Sequence, residues 1–552
     1  MDPFLQDPPR VPHPWRADTA LRYALERLLP PDVYAEGLPD LEAMAEVAIT
    51  EMAPLSRLAE ANPPRHVAFD PWGRRIDRID VDPAWLRIVE IGQRHGVVAI
   101  PYEDRFGEHA RAVQFGILTL YNPHSATGDC PLSMTDAAVR VLLNEDADLA
   151  ARYVPKLIAR EGGWTSGQWM TEKEGGSDVG RTGTTARRAA DGTWTLHGTK
   201  WFTSATTADV ALALARPEGA EQGSRGLSLF LLELSRPDGA WNGLTVRRLK
   251  DKLGTKALPT AELDLDGTVA VPVGDLGRGV AKISAMLNVT RVHAAFGSLA
   301  AVGLALRMAR DYAYRREAFG RRLADLPAHR GWIARIAAEY EAMVALGFGA
   351  AELLGRMERT GEDQALARVV MPLAKMSIAR RAVWATSNLM ESFGGAGYLE
   401  DTGIPRILRD CHVNCIWEGT TSIMALDVVR ALVRSPETAG AFLADVEARA
   451  RAADGPLLDE PQRAVLSALE QLRPLMAEPS EAGARRLAWG MARTYQAALL
   501  CEAAGWALAK QGDERVATAA RLFASRPLIG SEPPVGDDEL GALAFGEEPP
   551  EE

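Results

Sequence analysis

The stretch Trp194-Thr-Leu-His-Gly-Thr-Lys-Trp-Phe-Thr203 indicates the fold most clearly, because polar and apolar side chains alternate along it. It also carries the aromatic and β-branched residues that strands prefer. Four shorter stretches of the same kind follow, separated by Gly, Pro and Asp: ALALA (211–215), GLSLFLLEL (226–234), LTVRRL (244–249) and AELDLDG (261–267). This spacing predicts a small antiparallel β-sandwich or barrel over residues 162–276.

Helical patterns flank this β region on both sides. Residues 41–161 place apolar side chains three and four positions apart, as in DAAVRVLLNEDADLAARYVPKLIAR (136–160). The pattern returns over residues 277–433, where segments such as 299–308 are apolar enough to pack within a bundle. We therefore expect an α+β multidomain protein with an N-terminal helical domain, a small β domain and a C-terminal helical bundle.

The two ends of the chain have their own compositions. Residues 1–40 are rich in proline, and we expect an extended N-terminal arm. Residues 434–526 are rich in Ala, Leu and Arg and predict an extra C-terminal helical domain. Residues 527–552 contain five prolines and eight acids but no Lys or Arg, which predicts an acidic disordered tail.

The composition excludes several classes of protein. Of the 552 residues, 47% are hydrophobic and 25% are charged, which is typical of a globular chain and not of a disordered, collagen-like or disulfide-stapled one. Four cysteines in so long a chain predict a reducing compartment. The N-terminus resembles no secretory signal, and the uncharged runs are too short for a membrane span, so we expect a cytoplasmic protein.

Two motifs in the β region could serve a cofactor. In Met170-Thr-Glu-Lys-Glu-Gly-Gly-Ser-Asp178, hydroxyl and backbone N–H groups could meet a phosphate or the edge of a heterocycle, although an ordinary loop is the commoner interpretation. In Trp201-Phe202-Thr203, a large flat ring stands beside a hydroxyl. A core aromatic residue is again the commoner interpretation.

Three further motifs lie in the second helical region. Arg316-Glu-Ala-Phe319-Gly320 places an arginine suited to phosphate at a helix end, where a dipole-stabilising cation is the alternative. The turn Gly394-Gly395-Ala-Gly-Tyr398 lets backbone approach a ligand closely, but it is no Rossmann fingerprint. Glu418-Gly-Thr420 offers a general base in an apolar setting, or a helix-capping acid.

In this order the motifs resemble the acyl-CoA dehydrogenase flavoproteins, over about residues 41–432. The stretches MTEKEGGSDV (170–179), LKDKLGTKA (249–257), SIMALDVVR (422–430) and NPPRHVAFDPWGRRID (62–77) resemble the AidB-like subgroup, which is tied to the adaptive response to DNA alkylation. The resemblance implies a FAD-dependent enzyme that oxidises an acyl-CoA and passes electrons to an acceptor such as an electron-transfer flavoprotein. It also implies a homo-oligomer, most simply a tetramer.

The resemblance further implies a set of site residues. FAD would lie between the β domain and the bundle, with Trp201 beside its ring, the Thr203 hydroxyl facing N5, and Arg316 and Phe319 reaching the FAD of another subunit. The full cofactor set comprises Met170, Thr171, Gly176, Ser177, Trp201, Phe202, Thr203, Arg316, Phe319, Gly394, Gly395, Thr420 and Ser422.

Glu418 matches the catalytic base of the family. A carboxylate there would take the α proton of an acyl thioester while the β hydrogen leaves as hydride to the flavin on the opposite face. Arg291 matches an arginine that supports the site, or it forms a structural ion pair. Two departures stand out: Glu391 replaces a glutamine before the Gly394 turn, and Asn288 replaces an acid near Arg291.

A DNA-associating protective flavoprotein with little or no turnover is the alternative function. Residues 434–526 carry twelve basic and twelve acidic residues, and Arg485, Arg486 and Arg493 could share one helix face, although a mixed solvated face is the commoner interpretation. Cys411, His412 and Cys415 lack the second ligand pair of a structural zinc site, so we expect no metal. No P-loop and no nucleophile elbow occur in the sequence.

Overall fold

The N-terminal region is helical apart from one hairpin. The computed structural model describes residues 7–452, 455–531 and 537–546. The helices of this region are α1 Thr19–Leu28, α2 Pro31–Val47, α3 Ala53–Ala61, α4 Pro83–Arg94, α5 Ala110–Tyr121, α6 Asp129–Glu145 and α7 Ala147–Leu157, and the antiparallel hairpin is formed by β1 Arg65–Phe69 and β2 Arg75–Asp80. A five-residue π-helix, Ala48–Met52, joins α2 to α3. It widens the turn just before Pro54, which has no N–H to donate.

The prediction of an extended arm over residues 1–40 is wrong for the described part. Helix α1 and the start of α2 lie there, and Leu21 and Leu25 are buried. Asp18 caps α1 by accepting from the Leu21 N–H, and its other oxygen accepts from Arg307 at 2.9 Å and from Tyr340 at 2.6 Å. Most of the described prolines precede α1 or fall at the start of α2, where proline is tolerated, and the exception is Pro39, which α2 accommodates in its interior.

The middle region is a β domain whose sheet closes on itself. Its strands are β3 Ser166–Trp169, β4 Thr185–Arg188, β5 Trp194–Ser204, β6 Val210–Pro217, β7 Ser228–Glu233, β8 Leu244–Leu249 and β9 Thr260–Pro272. The pairings β6–β4, β4–β5, β5–β9, β9–β7 and β7–β6 form a ring, while β3 extends from β6 and β8 from β9. The barrel prediction is confirmed. The sheet is mixed, however, because β3 and β4 both run parallel to β6.

Five long helices form the bundle that follows. They are α8 Gly279–Arg315, α9 Pro327–Thr360, α10 Gln364–Glu391, α11 Ile404–Asn414 and α12 Thr421–Arg434, and the short hairpin β10 Glu317–Ala318 and β11 Arg321–Arg322 connects α8 to α9. Within the described residues, α8 has the length and apolar composition to cross a membrane, but 89% of its apolar window is buried inside the protein. Such burial is typical of a core helix.

The C-terminal domain packs against the bundle. Its helices are α13 Pro436–Ala452, α14 Asp459–Ala477, α15 Ala484–Gln511 and α16 Arg515–Ala524. Helix α15 contacts α9, α10 and α12, and Arg493 on α15 pairs with Glu339 on α9 at 2.5 Å. This arrangement confirms the predicted extra helical domain.

The tail prediction is wrong for part of residues 527–552. Leu528 and Ile529 are buried, and the carbonyl oxygen of Gly530 accepts a hydrogen bond from Arg486 at 2.9 Å. A further helix, α17 Asp537–Phe545, follows. Residues 532–536 and 547–552 lie outside the described residues, so the prediction for them stays a prediction.

Candidate active site

The loop between α11 and α12 presents Glu418 in a strained conformation. Glu418 has a φ of 57° and Gly419 a φ of 103°, so two consecutive residues have positive φ. This conformation costs an L-residue roughly 1–2 kcal/mol. The next residue, Thr420, caps α12 by accepting from the Ile423 N–H. Strain of this kind persists where surrounding contacts fix it, and it is concentrated at functional sites.

Two buried side chains fix the Glu418 loop. The Thr290 hydroxyl on α8 donates to Glu418 Oε2 at 2.6 Å. Lys375 Nζ on α10 donates to the Gly419 carbonyl oxygen, and the Lys375 side chain is 1% exposed. Burial lowers the pKa of Lys375 to about 8, although the nearby Glu418 carboxylate opposes this shift. Helix α8 therefore holds the Glu418 carboxylate, and α10 holds the backbone of the same loop at Gly419.

Sequence reasoning missed both of these residues. Thr290 directly precedes Arg291, and Lys375 is the lone charged residue in the apolar run VVMPLAKMSIA (369–379). A lone lysine in so apolar a helix segment is a usable signal, because its burial requires a partner.

Arg291 forms a structural ion pair, which is one of the two interpretations that the sequence allowed. Its Nη1 lies 2.9 Å from Asp427 Oδ2, while Arg368 Nη2 lies 2.7 Å from Asp427 Oδ1. Burial raises the pKa of Asp427, but the hydrogen bond from Arg368 and the charge of Arg291 outweigh burial, so the pKa lies below its usual value. These two ion pairs tie α8 and α10 to α12, the helix that follows Glu418.

In the β domain, the predicted loop is pinned to strand β5 at one end and open at the other. Met170 is buried, and the Thr171 carbonyl oxygen accepts from the Trp201 N–H at 3.0 Å. The buried Glu172 accepts from Lys200 Nζ at 2.6 Å, which anchors the loop. Further along, Gly176 and Ser177 are exposed, so their polar groups are available to a ligand.

The three residues on β5 differ in their surroundings. The Trp201 ring is half-buried, and Lys250 Nζ lies 3.6 Å from its centroid. Phe202 is half-exposed. Thr203 is fully buried, and its hydroxyl donates to the Ala261 carbonyl oxygen at 2.8 Å. The structure therefore gives the Thr203 hydroxyl a partner inside the sheet, and its contact with flavin N5 stays a prediction.

The remaining predicted cofactor residues lie on the surface. Arg316, Phe319, Gly394, Gly395, Thr420 and Ser422 are all exposed. Phe319, at the turn of the β10–β11 hairpin, is 94% exposed. Apart from the backbone next to each glycine, no atom of the described residues lies within 4 Å of the place where a Cβ would stand on Gly394 or Gly395. Among the described residues, no hydrogen bond joins this set to Trp201 or to the Glu418 carboxylate, so its role in the cofactor site stays a prediction.

A cavity adjoins the Glu418 loop where the three domains meet. It is lined by Trp417, by α8 at Gly297, Ala301 and Leu304, by α11, and by the connection over residues 122–129. Thr255 brings the β domain into this wall, because its N–H donates to Asp410 Oδ1 at 2.6 Å. The cavity therefore reaches the Glu418 loop at Trp417 and extends between the helices.

The predicted DNA-facing arginines are largely engaged within the protein. Arg486 Nε donates to Gly530, and Arg493 pairs with Glu339 and stacks on Phe523, 3.7 Å from the ring centroid. Arg485 is exposed. The alternative of a basic face shared by Arg485, Arg486 and Arg493 is therefore wrong for Arg493, whose guanidinium is engaged with Glu339 and Phe523. Within the part of the chain that is described, no group of three or more His, Cys, Asp or Glu side chains is arranged to hold a metal ion.

Family models match four consecutive parts of the chain. Residues 8–161 match the adaptive response protein AidB N-terminal domain, and residues 167–268 and 277–433 match the middle and C-terminal domains of acyl-CoA dehydrogenase. The chain belongs to the acyl-CoA dehydrogenase family. Residues 437–532 match the acyl-CoA dehydrogenase 11 C-terminal domain-like family, which covers the extra helical domain. The predicted family and its AidB-like subgroup are confirmed.

Relatives cover nearly the whole chain. Acyl-CoA dehydrogenase family member 11 of Caenorhabditis elegans is 40% identical over 554 residues, which is 95% of this chain and 90% of that protein. The AidB protein of Escherichia coli (strain K12) is 35% identical over 399 residues, or 70% of this chain and 72% of its own. The crystal structure of C. elegans ACDH-11 in complex with C11-CoA has a TM-score of 0.93, with 38% identity, and covers 96% of this chain and 94% of that one.

A more distant relative shares the fold and was solved with the cofactor. The acyl-CoA dehydrogenase from Bacillus anthracis complexed with FAD is 17% identical, has a TM-score of 0.71, and covers 94% of this chain and 92% of its own. At this identity the likeness shows the fold alone.

Proposed function

We propose that the protein is a FAD-dependent acyl-CoA dehydrogenase of the AidB type, in which Glu418 removes the α proton of an acyl-CoA. The observation that carries this proposal is the placement of Glu418, a strained acid whose loop is held by α8 and α10 and whose neighbour Trp417 lines a cavity at the three-domain junction. The solved complex of the ACDH-11 relative with C11-CoA supports an acyl-CoA as the substrate class.

Thr290 and Lys375 have different roles around the Glu418 carboxylate. Thr290 donates to Glu418 Oε2, which leaves Oε1 free to take the proton from the α carbon. Lys375 holds the loop through Gly419, so the carboxylate stays directed towards the substrate. When bound, FAD supplies the acceptor for the β hydride.

Some of the residues that we assign to the cofactor site are well placed to bind FAD, and others are not. Gly176 and Ser177 offer exposed polar groups for phosphate, the half-buried Trp201 ring offers an aromatic surface, and the open space at Gly394 and Gly395 admits a ligand against the backbone. Thr203 fits least well, because its hydroxyl is bonded to Ala261. Trp201 and the loop from Met170 to Ser177 are therefore the first candidates to hold the cofactor.

An anaerobic titration of the purified flavoprotein with acyl-CoAs tests the proposal. We expect bleaching of the flavin absorbance in the wild type and a 10²- to 10⁴-fold slower reduction in Glu418→Gln, which keeps the shape but loses the base. Glu362→Gln is the matched control, because Glu362 lies on an exposed loop. Equal reduction rates in Glu418→Gln and the wild type would overturn the role of Glu418, and no bleaching by any acyl-CoA would overturn the activity.

The exposed rim of the bundle supports a homo-oligomer, which we take to be a tetramer. Phe319, Tyr398 and Leu399 are 94%, 83% and 55% exposed, and such apolar surface is typical of a contact site. In this assembly Arg316 and Phe319 would complete the FAD site of a neighbouring copy. An electron-transfer flavoprotein is the electron acceptor we propose.

The four cysteines support a cytoplasmic location. All four are free and buried, as expected for a protein in a reducing compartment. A DNA-associating role has less support, because Arg486 and Arg493 already have partners within the chain. A link to the DNA-alkylation response rests on the match to the AidB N-terminal domain.

A further inference from the structure

Lys250, just after β8, lies over the two aromatic side chains of the cofactor motif on β5. Its Nζ is 3.6 Å from the centroid of the Trp201 ring and 4.7 Å from the centroid of the Phe202 ring. The Lys250 side chain is only 11% exposed, although a lysine normally keeps its charged end in water. A cation over an aromatic face is attracted by the ring quadrupole, and more strongly when it is desolvated. The contact with Trp201 is therefore stronger than a contact between exposed groups.

A β-bulge in β5 explains how one cation reaches two successive side chains. Neighbouring residues of a regular strand point to opposite faces of the sheet. The register between β5 and β9 shifts at this point, because Lys200 pairs with Leu263 while Thr203 pairs with Ala261. Three steps along β5 therefore match two steps along β9, and the extra residue bends the strand and redirects its side chains. Both rings can thus contact the same ammonium group.

Glu262 on β9 fixes the position of this ammonium group. Lys250 Nζ donates to Glu262 Oε1 at 2.6 Å, and among the described residues Glu262 is the only hydrogen-bond acceptor of Nζ. Arg248 on β8 donates to the same oxygen at 2.9 Å. Two cations share one carboxylate, so the three side chains carry a net charge of +1. The ammonium of Lys250 therefore keeps a positive charge that is not fully neutralised beside the Trp201 ring.

The contact restricts Trp201 before any cofactor binds. The Trp201 backbone N–H donates to the Thr171 carbonyl oxygen at 3.0 Å, and Lys250 holds the ring. A side chain that is already ordered loses less conformational freedom when a flat ligand packs against it, so binding is tighter. Because the ammonium covers one face of the ring, the other face and the edge remain for such a ligand.

We propose that Lys250 is a positioning residue for the flavin, and that its cation–π contact holds the Trp201 ring in the orientation that contacts the isoalloxazine. This inference rests on the proposed function, in which Trp201 is a first candidate to hold the cofactor. Lys250 lies outside the set of residues that the sequence predicts for FAD. Its role differs from that of a phosphate ligand, because it acts on the cofactor through Trp201.

Dilution of the purified holoprotein, monitored by the fluorescence of the released FAD, measures the FAD dissociation constant. We expect about three- to tenfold weaker binding in Lys250→Met, which keeps the side-chain length but loses the charge, and an altered visible circular dichroism of the bound flavin. Lys250→Arg keeps the cation and should restore both. Lys156→Met is the matched control and should change neither, because Lys156 Nζ lies 3.9 Å from the centroid of Trp164, outside the predicted cofactor set.

A double-mutant cycle tests whether Lys250 acts through Trp201. In a Trp201→Leu background, Lys250→Met should change the FAD dissociation constant by less than about twofold, because the ring that it holds is gone. An equally large effect in that background would mean that Lys250 contacts FAD directly, which would overturn the proposal. Tighter FAD binding in Lys250→Met would also overturn it, because the flavin would then need the ring face that Lys250 covers.

The outcomes separate this inference from the proposed function. If the wild type binds FAD but no acyl-CoA reduces it, the proposed function fails, and the FAD measurements still decide the role of Lys250. If acyl-CoAs reduce the flavin and Lys250→Met keeps the wild-type FAD affinity, the positioning role fails and the proposed function stands. An equal loss of affinity in Lys156→Met would also overturn the positioning role. Should Lys250→Met fail to fold, Lys250→Gln takes its place with the same expected results.

Discussion

Replacing the buried Lys375 by methionine should change stability in opposite directions at neutral and alkaline pH. Burial lowers the pKa of Lys375 from 10.5 to about 8, so the folded protein binds this proton less tightly than the unfolded chain. At about 1.36 kcal/mol per pKa unit, burying the charged lysine lowers the free energy of unfolding by about 3 kcal/mol at pH 7. Methionine removes this cost but leaves the Gly419 carbonyl without its partner, a loss of about 2 kcal/mol.

The net effect at pH 7 is therefore a gain of about 1 kcal/mol for Lys375→Met. Between pH 8 and 10.5 the unfolded chain holds more protons than the folded one, so wild-type stability rises with pH over this window. The variant lacks this rise. Above pH 10.5 only the lost hydrogen bond should remain, and the variant should be the less stable protein.

Thermal unfolding of the wild type and Lys375→Met across pH 7 to 10.5 measures this crossing, with Lys510→Met as a control at an exposed lysine. Flavin reduction by an acyl-CoA should also slow in Lys375→Met, because the Glu418 loop loses its anchor. A stability difference that stays constant across this pH range would refute the reasoning, since the titration of Lys375 would then make no contribution.

Three further changes have defined outcomes. Arg111→Met should lower stability by about 3–5 kcal/mol, measured by denaturant unfolding, because the buried Asp136 and Glu358 lose the guanidinium that they share and keep only His293 and Arg140, respectively; a neutral effect would contradict this. Thr290→Val, which keeps the shape, should slow flavin reduction while acyl-CoA affinity in calorimetry holds; equal rates would show that the 2.6 Å hydrogen bond does not orient Glu418. Phe319→Ser should reduce the assembly size in light scattering and weaken FAD retention, and an unaltered assembly would remove Phe319 from the subunit contact.

The middle domain shows what local pattern can predict. Alternation along Trp194–Ser204 predicts β5 correctly, although the burial of this strand does not alternate strictly, because the register shifts after Leu196 and after Lys200. The parallel pairing of β3 and β4 with β6 left no trace in the sequence, because strand direction depends on connections and not on composition. The prediction of an extended N-terminal arm was wrong for a related reason. Asp18 is anchored by Arg307 and Tyr340, which lie about three hundred positions away along the chain.

The sequence likewise predicts only part of the candidate site. Glu418 stood out because its motif is local, but Thr290 lies 128 positions away and Lys375 acts through Gly419, 44 positions away. Helix packing brings residues so far apart in sequence into contact, and the pattern within one segment of sequence does not predict that packing. The orientation of Thr203 also depends on its neighbour strand, through the Ala261 carbonyl oxygen.

The C-terminal domain has a consequence for how copies of this chain can meet. Helix α15 lies across α9, α10 and α12, and a Cβ on Gly349 of α9 would lie 3.5 Å from Leu499. One side of the bundle is therefore occupied by a permanent neighbour that belongs to the same chain. Subunit contacts must form on the sides that stay open, and the rim that carries Phe319 and Tyr398 is one of these.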